Sequence, residues 1–539
     1  MADDLNNTSP RPDFDVVIVG AGWSGMYMLH QCRQLGLKAH ILEAGPAVGG
    51  TWYWNRYPGL RCDVESVQYS FSFDAALQQE WTWTERYATQ PEILEYANHV
   101  AQRFDLLRDI SFNSKVSAAR FDDKAGIWNI ETRQGRKVSG RFVVMATGCL
   151  TVPKDVVIPG MSDFKGEVYH TARWPQTPVD FSGKRVGVIG TGSSGIQAIP
   201  LIAEQAEHLY VFQRTPSYSL PAKNRELSPE YVANVKKNYE TLRADARAHL
   251  VGIPAPTYAE SVFDVSEEKR REIYASKYDN GLPFALMVAF GDLLVDEKAN
   301  QTAQDYLAER IREKVKDPEL AEQLIPKGQF VGTRRLCLDT NYYETFNRPN
   351  VTLKNIAKNP IDEITETGVR MGDELVEVDC LVYATGYDAM TGPLLAFEIE
   401  GKGGIKLKDA WAEGPKSLLG LMVNGFPNLF TITGPGSPSV LSNMFCSIEQ
   451  HVEWVSRLLG HLQQQQATQV EAKADAQENW VAHVNEVANS TLFPRGATWY
   501  MGANIPGKPR VFMPYLGVGP YRQICDEVEK DGYRGFAIS

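Results

Sequence analysis

The sequence predicts an α/β protein in which two Rossmann-like dinucleotide-binding domains interleave and a helical insertion interrupts the second. Three observations predict it: two G-x-G-x-x-G stretches, each between an apolar run and a helical segment; two later strands that end in Ala-Thr-Gly; and a long stretch between Pro221 and about Gly332 whose periodicity turns helical.

The first element is Asp15–Val19, a short continuous apolar run of the kind that forms a fully buried parallel strand. It ends at Gly20, and Gly20, Gly22 and Gly25 make the first fingerprint. Met26–Leu35 has helical periodicity and Lys38–Glu43 reads as the next strand, completing a βαβ unit. Such glycines let the backbone turn tightly and approach a pyrophosphate at a helix N-terminus, where free N–H groups favour negative charge. Glu43 closes the second strand, where a carboxylate can accept hydrogen bonds from ribose hydroxyls. A plain glycine-rich turn would explain the glycines but not the strand, helix and terminal acid around them.

The unit then recurs. Arg185–Ile189 is a second buried strand, followed by Gly190-Thr191-Gly192-Ser193-Ser194-Gly195, a helix through Ile202 and a strand from His208 to Phe212. Glu43 lies 23 residues after Gly20 and Arg214 lies 24 after Gly190, so one topological position carries opposite charges and the two ligands differ. An acid suits a free ribose 2′-hydroxyl and repels a 2′-phosphate, whereas Arg214 with Thr215 offers that phosphate a cationic fork. FAD is expected at the first site and NADPH at the second; a solvated surface arginine is the competing reading of Arg214.

Phe142–Gly148 and Asp379–Gly386 mark returns of the chain, with crossovers near Thr147–Pro153 and Thr385–Asp388. Their glycines are expected to permit close backbone crossing. The expected division is residues 1–150 and 387–539 for the FAD-binding domain, 151–220 and 333–386 for the NADP-binding domain, and 221–332 for the insertion. There, Ser266–Tyr278 and Asp296–Lys316 read as charged helices, and apolar Leu282–Leu294 as core without a site residue.

A chain of 539 residues exceeds what one core usually serves. A net charge of -11 without a basic stretch argues against a nucleic-acid partner. The seven cysteines include no C-x-x-C pair, which suits reduced thiols and disfavours a disulfide reductase. Met1–Asp13 is polar and acidic, unlike a secretory signal, and Leu282–Val295, interrupted by Gly291 and Asp292, falls short of a membrane span of roughly 20 residues. The expectation is a cytoplasmic enzyme without a transmembrane segment or metal site; a monomer is compatible with the sequence, which does not set the oligomeric state.

Between the fingerprints, Phe164-Lys-Gly-Glu-Val-Tyr-His170-Thr-Ala-Arg-Trp174-Pro175 matches F-x-G-x-x-x-H-x-x-x-W-P. With Gly49–Gly59, Arg61-Cys62-Asp63, Gly434–Ser439 and Trp499–Lys508, it makes nearly the whole chain resemble type I Baeyer–Villiger monooxygenases. Gly434–Met444 and Arg61–Glu65 are most similar to the phenylacetone and steroid monooxygenase branch.

The resemblance implies that NADPH reduces FAD, that the reduced flavin captures O₂ as a C4a-peroxide, and that this peroxide attacks a ketone to give an ester or lactone. It makes Arg335, Asp63 and His170 the candidate catalytic residues: Arg335 is the stabilising charge, Asp63 orients the guanidinium, and His170, which invites a general-base role, ranks below Arg335 because it lies in a linker coupled to nicotinamide positioning and domain movement. Arg334 would join Arg214 at the 2′-phosphate, Trp499 would lie on a mobile loop over NADP, and Ser439, Val440 and Leu441 would line the substrate pocket. Further cofactor contacts are expected from Ser24, Gly50, Thr51, Trp52, Trp54, Asp63, Tyr69, Val116 and Met444, and from Thr191, Ser193, Ser194, Gln197 and Arg335. Without the resemblance, Arg334-Arg335 is ordinary solvated charge, Asp63 a turn residue, His170 structural, and Trp52, Trp54 and Tyr57 aromatic core. Two other readings stay open. A flavin monooxygenase acting on amine nitrogen or sulfur is opposed by Trp174-Pro175, Arg335 and the insertion; a non-catalytic NADPH sensor would gain nothing from Asp63 and Arg335 together.

Overall fold

The computed structural model describes residues 11–539; Met1–Pro10, most of the polar N-terminal stretch, lies outside the described residues. β1 (Phe14–Val19) has no polar face because both sides are covered: Val16 and Ile18 pack into one core cluster, Val17 and Val19 into another. Burying each such side chain contributes ~1.5–3 kcal/mol. The chain continues through α1 (Trp23–Gln34) to β2 (Ala39–Leu42) and returns as β3 (Ile110–Ser111). β4 (Val116–Asp122), β5 (Ile127–Thr132) and β6 (Lys137–Met145) form an antiparallel meander, and β6 lies parallel to β1. Glu398–Glu400 adds to β4 and Leu429–Thr431 to the end of β6, so the eight-stranded sheet draws on both ends of the chain.

A second, all-parallel sheet repeats the plan. It contains β7 (Glu167–His170), β8 (Arg185–Ile189) and β9 (His208–Gln213). The short β10 (Ser219–Pro221) and β11 (Cys337–Asp339) pair with each other, outside it. β12 (Val351–Asn355) and Cys380–Tyr383 complete the order β12, β9, β8, Cys380–Tyr383, β7. In the two sheets β1, β2 and β6 correspond to β8, β9 and Cys380–Tyr383.

Between β10 and β11 the regular elements are helices, including Pro229–Lys237, Tyr239–Ala248, Glu267–Asp279, Pro283–Met287, Glu297–Lys314 and Pro318–Leu324. Ser266 and Asp296, read as helix starts, are N-caps: their side-chain oxygens accept from Lys269 N–H at 3.2 Å and Ala299 N–H at 2.8 Å. The two crossover segments run against each other, Lys154 N–H donating to Gly386 O and Asp388 N–H to Val152 O, both at 2.9 Å. All seven cysteines are free and buried. Among the described residues no helix is long and apolar enough to cross a membrane.

One buried group makes the fold acid-sensitive. His451 lies on the helix Met444–Gln465; its Nδ1 accepts from Thr433 N–H and its Nε2 meets the Tyr521 hydroxyl, both at 2.9 Å. Burial lowers its pKa from 6.5 to about 3. As pH falls below 6.5 the unfolded chain takes up this proton and the folded chain does not, so stability declines until about pH 3. His451→Gln is therefore expected to flatten the decline of the urea midpoint between roughly pH 7 and pH 5; an unchanged slope would assign the acid sensitivity to other groups.

Candidate active site

Gly20 and Gly190 end equivalent strands with φ of +105° and +115°. A Cβ at either would run into the carbonyl oxygen of Ala146 or Ala384. This corrects the expectation for the Ala-Thr-Gly motifs: the close approach to each fingerprint is made by the alanine, and the glycine only turns the chain afterwards. The helices that follow, Trp23–Gln34 and Ser193–Gln205, have no side-chain N-cap and no acid in their first turn. Asp74, Ser228, Ser266, Asp296 and Asp317 cap other helices. Free N–H groups above a glycine turn fit a pyrophosphate at both places.

At the first fingerprint the Glu43 carboxylate is buried, its oxygens accepting from Ala21 N–H and Gly45 N–H at 2.6 Å each. Burial raises its pKa, and these backbone donors offset part of the rise. Each oxygen keeps lone-pair capacity for a ribose hydroxyl. Ser24 and Gly25 lie in the first turn of α1, and Gly50 passes close to Gly22. Trp52 is buried and donates to the Tyr69 hydroxyl at 3.1 Å, whereas Thr51 and Trp54 are exposed. Val116 is buried at the start of β4, and Met444 begins a helix capped by Asn443.

At the second, Thr191 Oγ1 donates to Thr215 O at 3.1 Å, which ties the turn to the segment carrying Arg214. Arg214 is exposed and Arg334 half-buried; burial, and then the charge of Arg214, hold the Arg334 pKa down. Arg334 thus feels a like charge on the side where a 2′-phosphate is expected. Ser193 and Gly192 are open to solvent and Ser194 is half-buried. Gln197 spends its amide on protein partners, donating to Arg61 O at 3.1 Å and accepting from the Tyr57 hydroxyl at 3.0 Å. It therefore holds the segment leading to Asp63.

Arg335 lies just before β11. Asn300, fully buried on the insertion helix Glu297–Lys314, positions this approach by donating to Val331 O and accepting from Val331 N–H, both at 2.9 Å. Asp63 takes the Arg335 fork through both carboxylate oxygens, with Nη2–Oδ1 at 2.8 Å and Nε on Oδ2. Nη1 donates to Val440 O at 2.7 Å. Burial works against the guanidinium charge, but the adjacent Asp63 more than offsets it, leaving the pKa above its usual value. Ser439, Val440 and Leu441 are buried, and Ser439 has the left-handed φ of +42°, a strained state for serine that aims the Val440 carbonyl.

His170 Nδ1 accepts from Ala172 N–H at 3.0 Å and Nε2 faces Thr385 Oγ1 at 3.3 Å, joining the end of β7 to the second crossover. Burial and Arg173 lower its pKa, which favours the neutral ring. Trp499 packs beside Tyr500, and its segment meets Arg334 through Ala497 O, which accepts from Nη2 at 3.2 Å.

Sequence reasoning missed Phe284. The insertion segment Leu282–Leu294 is core as expected, yet it also supplies a site residue: the Phe284 ring lies 4.6 Å from the Arg335 guanidinium carbon. Nothing local marks it.

Two phosphate cradles with opposite strand-end charges, and a carboxylate-braced arginine, define a two-nucleotide flavin oxidoreductase. The chain matches the FMO-like (Flavin-binding monooxygenase-like) family over residues 14–242. It is 40% identical over 532 residues to a Baeyer-Villiger monooxygenase of Pseudooceanicola batsensis, covering 98% of this chain and 97% of the relative. Identity to the phenazine N-monooxygenase PhzNO1 of Lysobacter antibioticus is also 40%, with the same coverage of 98% and 97%. Oxidized steroid monooxygenase bound to NADP superimposes with a TM-score of 0.94 at 48% identity, over 97% of this chain and 99% of that one. The chain belongs to the FAD-containing, NADPH-dependent Baeyer–Villiger monooxygenases.

Proposed function

We propose that the protein uses NADPH and O₂ to insert one oxygen atom beside a ketone carbonyl, forming an ester or lactone, with Arg335 as the fixed positive charge at the reacting oxygen. One observation carries this reading. Of the five N–H groups of the Arg335 guanidinium, Asp63 and Val440 O take three, and two have no partner among the described residues. A charge held this way, with free donors, suits an oxygen that becomes negative in the reaction.

The reduced flavin, when bound, supplies the activated oxygen. The chain's own residues supply position and environment. Asp63 fixes the plane of the fork, and Phe284 covers a face of it. Val440, Leu441, Cys149, Met390 and Tyr500 form an apolar cluster beside it that excludes water and strengthens the field of the guanidinium. The Cys149 thiol is pushed up to about 11 by burial, so it stays protonated and is no nucleophile.

We assign Gly20, Gly22, Gly25 and Glu43 to FAD, Gly190–Gly195, Arg214, Thr215 and Arg334 to NADPH, and Ser439–Leu441 to the ketone. His170 is a positioning residue, because both ring nitrogens are engaged. The domain division at 150, 220, 332 and 386 follows these assignments. Unpaired thiols throughout suit a cytoplasmic setting.

The phenazine N-monooxygenase relative favours one second reading, oxygen transfer to a ring nitrogen. The test is direct. Purified yellow protein is incubated with NADPH, air, and separate panels of linear, cyclic, aromatic and steroid ketones and of nitrogen heterocycles, and products are identified by mass. Esters or lactones formed with NADPH consumption are expected. N-oxides without esters would replace the first reading by the second, and alcohols would reject both.

A further inference from the structure

Two segments that border the second fingerprint carry cations, Lys154 and Arg214, where only Arg214 and Arg334 were expected. Lys154 lies in the first crossover: its N–H donates to Gly386 O at 2.9 Å, and Pro153 bridges to Tyr387. Gly386 follows Ala384, whose carbonyl abuts the Gly190 turn, so the Lys154 backbone stands at the edge of that turn. The segment carrying Arg214 is tied to the same turn through Thr191 and Thr215. Lys154 is half-buried, and burial together with the charge of Arg214 lowers its pKa; Arg334 feels Arg214 in the same way. None of the three makes an ion pair with a carboxylate among the described residues, although the chain has 66 acidic residues for its 55 lysines and arginines. Lys154 and Arg334, both partly desolvated and without an acid, are each repelled by the charge of Arg214, and a multivalent anion relieves that repulsion.

We propose that Lys154 is a third recognition residue for the 2′-phosphate, acting with Arg214 and Arg334 to set the preference for NADPH over NADH. The proposal rests on the NADPH reading above and deepens it. An ammonium suits this place because it contributes a compact point charge on a flexible stem, complementing the planar forks of the arginines.

The test uses the FAD-loaded protein and calorimetric titration with NADP⁺, NAD⁺ and adenosine 2′,5′-bisphosphate. Lys154→Met is expected to weaken NADP⁺ and the bisphosphate roughly tenfold and leave NAD⁺ within about twofold, with Lys154→Arg restoring most of the loss. Unchanged FAD content in both variants shows that the fold is intact. Bisphosphate binding that survives Lys154→Met while Arg214→Ala weakens it would overturn the role of Lys154 alone. Wild-type protein that binds NAD⁺ as tightly as NADP⁺ would overturn the NADPH reading and this proposal with it.

Discussion

Arg335→Ala is expected to abolish ester formation while leaving FAD bound. Removing one preorganised donor to a developing oxyanion typically costs about 10²–10³ in rate. This substitution removes two such donors and the charge, and leaves the half-buried Asp63 carboxylate without its partner, so the loss should exceed roughly a thousandfold. Arg335→Lys should recover little. An ammonium keeps the charge but cannot span both oxygens of Asp63 and the Val440 carbonyl while presenting further donors in a plane. Product mass and flavin absorbance measured on the same sample separate the two effects. Wild-type rates of ester formation in Arg335→Ala would remove Arg335 from the mechanism.

Gly190→Ala is expected to disable NADPH without touching FAD. At φ of +115° an L-residue is strained, and the new Cβ would overlap the Ala384 carbonyl oxygen. The turn must open, and the free N–H groups at the start of the helix Ser193–Gln205 move with it. A loss of NADP⁺ affinity on the order of a hundredfold is expected. The flavin should still be bleached by dithionite and no longer by NADPH. Gly20→Ala, its counterpart at φ of +105°, should instead yield protein that lacks FAD. Matching phenotypes for the two variants would contradict the assignment of different nucleotides to the two loops.

Both loops were legible because their signals are local: a buried strand, three glycines and a charge at a set distance occur within one short stretch of chain. Boundaries were less legible. α1 begins at Trp23, before the periodic segment from Met26, because packing against the glycine turn recruits Ser24 and Gly25 despite their modest helix propensity. The helix Ser193–Gln205 likewise runs beyond Ile202 and keeps Pro200 inside. Ser266 and Asp296 act as caps because short polar side chains satisfy the first N–H groups from outside the helix.

The site around Arg335 had no comparable local signature. Asp63 is 272 residues away, Val440 is 105 away, and Phe284 comes from a segment that reads only as core. The resemblance pointed to Arg335 and Asp63, but neither Phe284 nor Lys154 carries a pattern that distinguishes it from ordinary core or surface.

The amino-acid sequence by itself determined that there are two nucleotide loops and that Glu43 and Arg214 make them different, since spacing and charge are properties of neighbouring residues. Only the tertiary structure decided that Val440 and Phe284 join Asp63 around Arg335, that the alanine carbonyls close each glycine turn, and that Lys154 stands at the edge of the second turn. Contacts between remote segments depend on how sheets and insertion pack, and that packing is written in no single stretch of chain.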